Sequence, residues 1–333
     1  MTLLANLVAT SQRVGATSGR LAKIRELAAF LRTLAVEEIE TGAHYLSGEI
    51  QQGRIGIGYA ALRAAADSSA VEVGQLSLAE VDAALTELGH DPQNLSPEIL
   101  ATLEHLHSGG LATTRRQANR IAVTEDSRVL DVGCGIGGPA RYLAHTYGCR
   151  VDGIDLTPEL IETGRVLTER CKLADRVVLQ VGNALDLPYP DQTFDVVWCQ
   201  NVAMNISDKA GLLEGAYRVL KPGGLFTSTE YSVGAGGDII FPVPWAYDSS
   251  INFLEPADVM RARYQMAGFR ILEWVNYSNV VIEHYEKMLR SPPQLTNRLI
   301  FGDDAPERQR NSQRNLIEGR AIYWMITAER PRL

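Results

Sequence analysis

Residues 131–143 read "DVGCGIGGPARYL", Asp131 to Leu143. Gly133, Gly135 and Gly138 in this stretch form a G-x-G-x-x-G. The apolar residues of "RVLDVG" (128–133) predict a short strand just before it, and "GGPARYLAHTYG" (137–148) predicts a helix ending at Gly148. A strand feeding a helix through such glycines implies a tight turn whose backbone approaches a ligand closely. The spacing alone does not say which ligand. The side chain two residues ahead of Gly133 narrows the choice: Asp131 closes the strand. A pyrophosphate wants bare amides and the positive end of a helix at that place, and a carboxylate repels it. A ligand that presents an ammonium group is attracted by the same carboxylate.

Working outward, "RVDGIDL" (150–156), "RVVLQVG" (176–182), "FDVVWCQ" (194–200) and "GGLFTSTEY" (223–231) read as further strands. The helices "TPELIETGRVLTERCKL" (157–173), with Thr157 as cap and Pro158 at its first position, and "KAGLLEGAYRVL" (209–220) lie between them. Apolar strands alternating with helices predict a parallel, doubly wound, Rossmann-like α/β sheet, which opens its site at the carboxyl ends of the strands. S-adenosylmethionine carries a sulfonium, an ammonium and a carboxylate but no phosphate, so Asp131 favours it over a nicotinamide dinucleotide. Asp155, at the end of the second strand, is suited to both ribose hydroxyls, a feature that dinucleotide proteins share. A dinucleotide enzyme and a cofactor-free fold remain the alternatives.

A chain of 333 residues exceeds what one core usually serves, so two domains are expected. With 45% hydrophobic and 22% charged residues it has an ordinary soluble composition. The net charge of −8 gives no global attraction to nucleic acid or anionic membrane. The start, "MTLLANLVATSQR", lacks the features of a signal peptide, and no apolar run approaches the roughly 20 residues of a membrane span. Cys134, Cys149, Cys171 and Cys199 show no metal-ligand spacing. They read as reduced thiols of a cytoplasmic protein, and no metal is expected.

The combination "VLDVGCGIGGPARYLA", "GIDLTPELI", "VGNALDLPYPDQTFDVVWCQ" and "RVLKPGG" resembles the class I S-adenosylmethionine-dependent methyltransferases over about 101–333. "LHSGGLATTR" (106–115), "QNVAMNISDK" (200–209) and "FPVPWA" (241–246) resemble the branch that contains sarcosine/dimethylglycine methyltransferases and many small-molecule enzymes. The resemblance implies that Asp131, Gly133 and Gly135 form the methionine-binding turn and that Asp155 with Leu156 takes the ribose. It also implies that Asn183 and Ala184 flank the adenine and that Gln200 lies beside the amino-acid part. The family usually has aspartate where Asn183 stands; an amide oxygen still accepts from the adenine amino group.

Methyl transfer from a sulfonium is an in-line displacement that needs an oriented nucleophile and exclusion of water. DNA amino-methyltransferases clamp a flipped base with N/D-P-P-Y/F after the fourth strand. This chain has "CQNVAMNI" there, which disfavours nucleic acid and leaves a small-molecule acceptor. The segments 239–254 and 275–320 read as a lid, with Trp245, Tyr247 and Phe253 toward the substrate or merely packing a cap. Glu230, ending the fifth strand, is a candidate base or a solvated strand end. His107 matches a family histidine near the pocket entrance, or is structural.

The front of the chain reads as all-helical over residues 1–89, with a linker at 90–100. "YLSGEIQQGRIGIGYAALR" (45–63), "VATSQRVGATSGRLAKIREL" (8–27) and "LSLAEVDAALTEL" (76–88) resemble the start of the helical DNA-binding domain of actinobacterial ATP-dependent DNA ligases. The adenylation motif K-x-D-G is absent, which excludes ligation. Residues 1–90 carry seven Lys or Arg against ten Asp or Glu, a net charge of −3, which disfavours DNA binding. The expected role is packing, homo-oligomer formation or cover for the site. A nucleic-acid-tethered methyltransferase and a non-catalytic cofactor-binding protein are the rival readings.

Overall fold

The computed structural model describes residues 78–290 and 304–332. The helices expected across 1–77 lie outside the described residues. Strands β1 (Arg128–Val132), β2 (Arg150–Asp155), β3 (Val177–Val181), β4 (Phe194–Gln200), β5 (Leu220–Val233), β6 (Arg270–Asn276) and β7 (Ala321–Glu329) form one sheet in the order β3-β2-β1-β4-β5-β7-β6. The run from β3 to β5 is parallel, as its alternation with helices predicts. The sheet as a whole is mixed, because β7 runs antiparallel to both β5 and β6. The strands read from the sequence form the parallel part, and the antiparallel pair is not among them. The edge strand β6 has no buried residue, and Arg270 and Glu273 interrupt its apolar positions, so its sequence lacks the apolar run of a buried parallel strand.

Helices α1 (Leu78–Glu87), α2 (Pro97–Glu104) and α3 (Gly110–Ala118) precede the sheet. Helices α4 (Gly138–Tyr147), α5 (Pro158–Arg170), α6 (Lys209–Val219), α7 (Ala257–Met266), α8 (Ser278–Arg290) and α9 (Ala305–Ile317) follow in chain order. One face of the sheet packs Leu130, Val197 and Phe226 against Leu212 and Leu213 of α6 and Met260 and Tyr264 of α7. The other packs Val129, Val151 and Trp198 against Ala118, Ala140, Leu143 and Ile161. Burial on both faces explains the continuous apolar strands. Each fully buried large side chain among them contributes about 1.5–3 kcal/mol.

Two boundaries differ from the sequence reading. Helix α1, expected to close a separate helical domain, packs Val81 and Leu85 against α2 and against Ile136 and Leu167. Its Asp82 accepts both Nη1 and Nη2 of Arg170 on α5, at 2.5 and 3.1 Å. The linker expected at 90–100 is shortened, because Ser96 caps α2 by accepting from Ile99 N at 3.5 Å and Pro97 opens the helix. Thr157 does occupy the cap position of α5, but its side chain makes no capping bond. Its own backbone N–H instead donates to Asp155 Oδ1 at 2.9 Å.

Candidate active site

The turn after β1 is built on Gly135, which sits at φ +55° and so donates its N–H to Asp155 Oδ2 at 2.9 Å. Gly138 follows at a close crossing: a Cβ there would stand 2.7 Å from the Glu104 carbonyl oxygen. The turn is clamped from beneath by Arg141, whose side chain is fully buried. Its Nη2 donates to Ile136 O at 2.7 Å and to Glu104 Oε2 at 2.6 Å, and its Nη1 to Gly164 O at 3.0 Å. The loop, α2 and α5 are thus held by one guanidinium.

At the carboxyl ends of β1, β2 and β4 this turn opens into a cleft lined by Asp131, Gly133, Gly135, Asp155 and Gln200, together with Leu106, His107, Asn201, Pro244 and Trp245. Sequence-predicted residues from separate elements therefore meet. Two atoms stand out. Asp131 Oδ2 is buried with no hydrogen-bond partner, and Gln200 Nε2 is likewise buried and unpartnered. Burial, and next the Asp155 charge, push the Asp131 carboxyl well above its ordinary range. The other end of the Gln200 amide is fixed, because Oε1 accepts from Thr114 Oγ1 at 3.3 Å. Glu104 Oε1, also on the cleft wall, is buried and unpartnered too, but its carboxylate is already neutralised by Arg141 through Oε2. Asp131 and Gln200 are left as an acceptor and a donor that suit a ligand end carrying both an ammonium and a carboxylate.

Leu156, Asn183 and Ala184 lie outside the wall of this cleft. Leu156 is 70% exposed, and Asn183 Oδ1 already accepts from Leu185 N at 2.9 Å. The bond from Gly182 N to Asp155 O, at 2.9 Å, nonetheless keeps that loop beside Asp155.

His107 lines both this cleft and a second cavity of about 310 Å³, and so marks their junction. Its Nε2 lies 3.1 Å from Gly110 O and 3.0 Å from Thr114 Oγ1. A carbonyl only accepts, so Nε2 carries the hydrogen and Nδ1 is left as the ring's acceptor. Burial lowers the His107 pKa to about 3, and the imidazole is neutral at physiological pH.

The placement of Glu230 corrects the sequence reading. Strand β5 runs on to Val233 because β7 pairs along it, with Glu230 opposite Trp324. Side chains alternate along a strand. Tyr231 and Thr229 face Ser108 and Asn201, at 2.7 and 3.4 Å. Glu230 turns to the opposite face, where it accepts from Ser228 Oγ at 2.5 Å and Tyr264 Oη at 3.0 Å. Burial raises its pKa, and it lines neither the cleft nor the second cavity. It is a buried polar group beside a small separate pocket with Lys209, Met260 and Arg263, and is not a solvated strand end. Tyr247 and Phe253 also stand outside both cavities. Tyr247 lies 3.8 Å beneath the Arg308 guanidinium, while Trp245 stacks on Tyr231 at 4.4 Å.

Sequence reasoning missed a hydroxyl network at the junction. Ser108 Oγ meets Tyr231 Oη, Tyr285 Oη (3.0 Å) and Asn201 Nδ2 (3.2 Å), and Tyr323 Oη donates to Asn201 Oδ1 at 2.7 Å. Asn201 holds the left-handed φ of +54°, uncommon outside glycine and tolerated by Asn. Its position directly after Gln200 was the available signal.

Residues 130–228 match the family model described as the methyltransferase domain. The chain carries a class I methyltransferase fold. It is 29% identical over 230 residues to glycine/sarcosine/dimethylglycine N-methyltransferase of Actinopolyspora halophila, covering 67% of this chain and 40% of that relative. It is 30% identical to methyltransferase GfsG of Streptomyces halstedii, over 56% of this chain and 66% of the relative. The structure of Haemonchus contortus phosphoethanolamine N-methyltransferase 2 in complex with S-adenosyl-L-methionine superposes with a TM-score of 0.57. That match covers 71% of this chain and 58% of the other, at 22% identity, and bears on the fold alone. The methyltransferase fold thus spans part of each relative's length. Among the described residues no helix is long and apolar enough to cross a membrane.

Proposed function

We propose that this protein is an S-adenosylmethionine-dependent methyltransferase acting on a small molecule. The observation that carries the reading is the pair of buried, unpartnered atoms of opposite polarity, Asp131 Oδ2 and Gln200 Nε2, in one cleft at the strand ends. Neither a pyrophosphate nor an empty fold accounts for both. When bound, the cofactor supplies a methyl group on a positively charged sulfur, activated for displacement. Asp131 would hold its ammonium and Gln200 its carboxylate, each through a charge-assisted hydrogen bond. Asp155, already fixed by Gly135 and Thr157, would take the ribose together with Leu156, with Asn183 and Ala184 along the adenine.

His107 stays neutral and offers Nδ1 as a hydrogen-bond acceptor at the passage between the two cavities, so it orients an acceptor group there without carrying a charge. A neutral amine needs no base; a hydroxyl or carbon nucleophile does. Pro244 and Trp245, from the segment 239–254, wall the cleft and exclude water from the reacting atoms. The ligase-like front of the chain serves assembly or packing in this reading, since the net charge of −3 over residues 1–90 gives little hold on phosphate.

Calorimetry with S-adenosylmethionine and NADH, followed by transfer of a labelled methyl to amine, phenol and isoprenoid pools, tests the reading. Tight binding of the methyl donor and label in a small-molecule product are expected. Preference for NADH, or label in nucleic acid alone, overturns it.

A further inference from the structure

The second cavity carries an assignment of its own, which rests on the methyl-transfer reading. It meets the cleft at Leu106, His107 and Pro244. Its described lining is apolar over much of its extent, with Ala101, Leu111, Met288 and Ala305 contributing. At about 310 Å³ it has the size of a site for a small organic molecule and exceeds the need of a simple amino acid.

The charged side chains that line it are both cationic. Lys287 from α8 and Arg308 from α9 line the cavity, and no Asp or Glu does among the described residues. This is notable in a chain whose net charge is −8. The Arg308 side chain is only 9% exposed and is held in place twice, by Asp304 Oδ2 at 3.0 Å from its Nε and by the Tyr247 ring beneath it. A guanidinium fixed in this way presents its remaining face without further loss of side-chain freedom. The wall also includes Gly109 to Ala112, the start of α3, and the first turn of that helix holds no acidic residue. The positive end of the helix adds to the same field. An ammonium group would meet two cations in the lining, while the carboxylate of Asp304 is already engaged by Arg308.

We propose that this cavity binds the methyl acceptor as an anion: a molecule with an apolar body lying along Leu111 and Met288, an anionic end at Arg308 and Lys287, and its nucleophile at the His107 passage. The acceptor class is therefore an apolar acid rather than a cationic amine. The two cavities then divide the labour. Asp131 draws the positive end of the donor, and Arg308 draws the negative end of the acceptor, so each ligand is repelled from the other's place.

The test uses three probes of one chain length, octanoate, octan-1-ol and octylamine, titrated calorimetrically at pH 7.5 into the full chain saturated with S-adenosylhomocysteine. Octanoate is expected to bind at least about tenfold more tightly than octylamine. Arg308→Gln should weaken octanoate about tenfold and leave octan-1-ol and S-adenosylhomocysteine unchanged, and Arg308→Lys should restore much of the loss. Lys287→Gln, at an exposed position, should weaken octanoate about threefold and serves if Arg308→Gln does not fold. Octylamine binding as tightly as octanoate, no octanoate binding to a chain that holds S-adenosylhomocysteine, or octanoate affinity indifferent to both neutral variants overturns the assignment. A chain that fails to bind S-adenosylhomocysteine yet keeps the octanoate preference refutes the methyl-donor reading and leaves the cavity assignment standing.

Discussion

Replacing Asp131 by Asn should move stability and cofactor affinity in opposite directions. The substitution keeps the shape and removes the charge. In the free protein the Asp131 carboxylate is buried with Oδ2 unpartnered, and its pKa is raised by burial and by Asp155. A raised carboxyl keeps its proton in the folded chain at pH values where the unfolded chain has lost it. Its favourable contribution is therefore present below the ordinary carboxylate range and is lost as pH rises through the raised value. At pH 8 the unfolded chain is ionised here, so folding the wild-type protein must either bury this charge or take up a proton, a cost that Asp131→Asn does not bear. An unsatisfied buried charge costs more than an unsatisfied neutral group, by about 1 kcal/mol or more. The free variant should accordingly melt about 2–4 °C higher at pH 8, and the gain should vanish as pH falls below the ordinary carboxylate range. Cofactor binding should respond the other way. Loss of a hydrogen bond between charged groups costs about 1.5–3 kcal/mol, which is roughly ten- to a hundredfold in Kd. Wild-type affinity should also weaken as pH falls through the raised Asp131 pKa, while the Asn variant stays flat. Differential scanning calorimetry and titration calorimetry over a pH series measure both. An unchanged Kd, or a lower melting temperature for the free variant at pH 8, would refute the reasoning.

Three further outcomes follow from the geometry. Glu230→Gln should leave turnover within about threefold of wild type, because the side chain faces Tyr264 and Ser228 away from both cavities; a hundredfold loss, the scale of a missing general base, would put it back in the chemistry. Arg141→Met leaves Glu104 buried without its partner and should cost about 3–5 kcal/mol in urea unfolding, with cofactor affinity falling as the glycine turn loosens; a loss under 1 kcal/mol would show that the clamp is dispensable. Gly138→Ala drives a Cβ to 2.7 Å from the Glu104 carbonyl and should destabilise by about 1–3 kcal/mol, measurable as a lower melting temperature; no change would mean that α2 is free to shift.

The parallel half of the sheet was legible from local signals. Strands β1 to β4 and helices α4 to α6 fall within a few residues of their expected places, because a strand buried on both faces must be apolar and a helix must stop at residues such as Gly148. Strands β6 and β7 were not legible. Strand β6 is exposed or half-exposed throughout and carries Arg270 and Glu273, so it lacks the signature of a buried strand, and only pairing with β7 orders it. That pairing also misled the reading of Glu230, since it prolongs β5 past the residue taken for its end.

By itself, the sequence determined the chemistry of the cleft. Asp131 ahead of the glycine turn, Asp155 closing the next strand and Gln200 closing the fourth lie on elements whose ends must meet in a doubly wound sheet, so covalent order and strand direction suffice to bring them together. Tertiary structure decided which way each side chain turns and what it meets. Glu230 and Tyr231 are neighbours in the chain, yet the pleat sends one to Tyr264 and the other to Ser108. Ser108 and Tyr323 are 215 positions apart, and only tertiary packing, with α8 and α9 laid on β7, joins them at the junction. Face and contact depend on burial against elements distant in the chain, and no local pattern of residues carries that information.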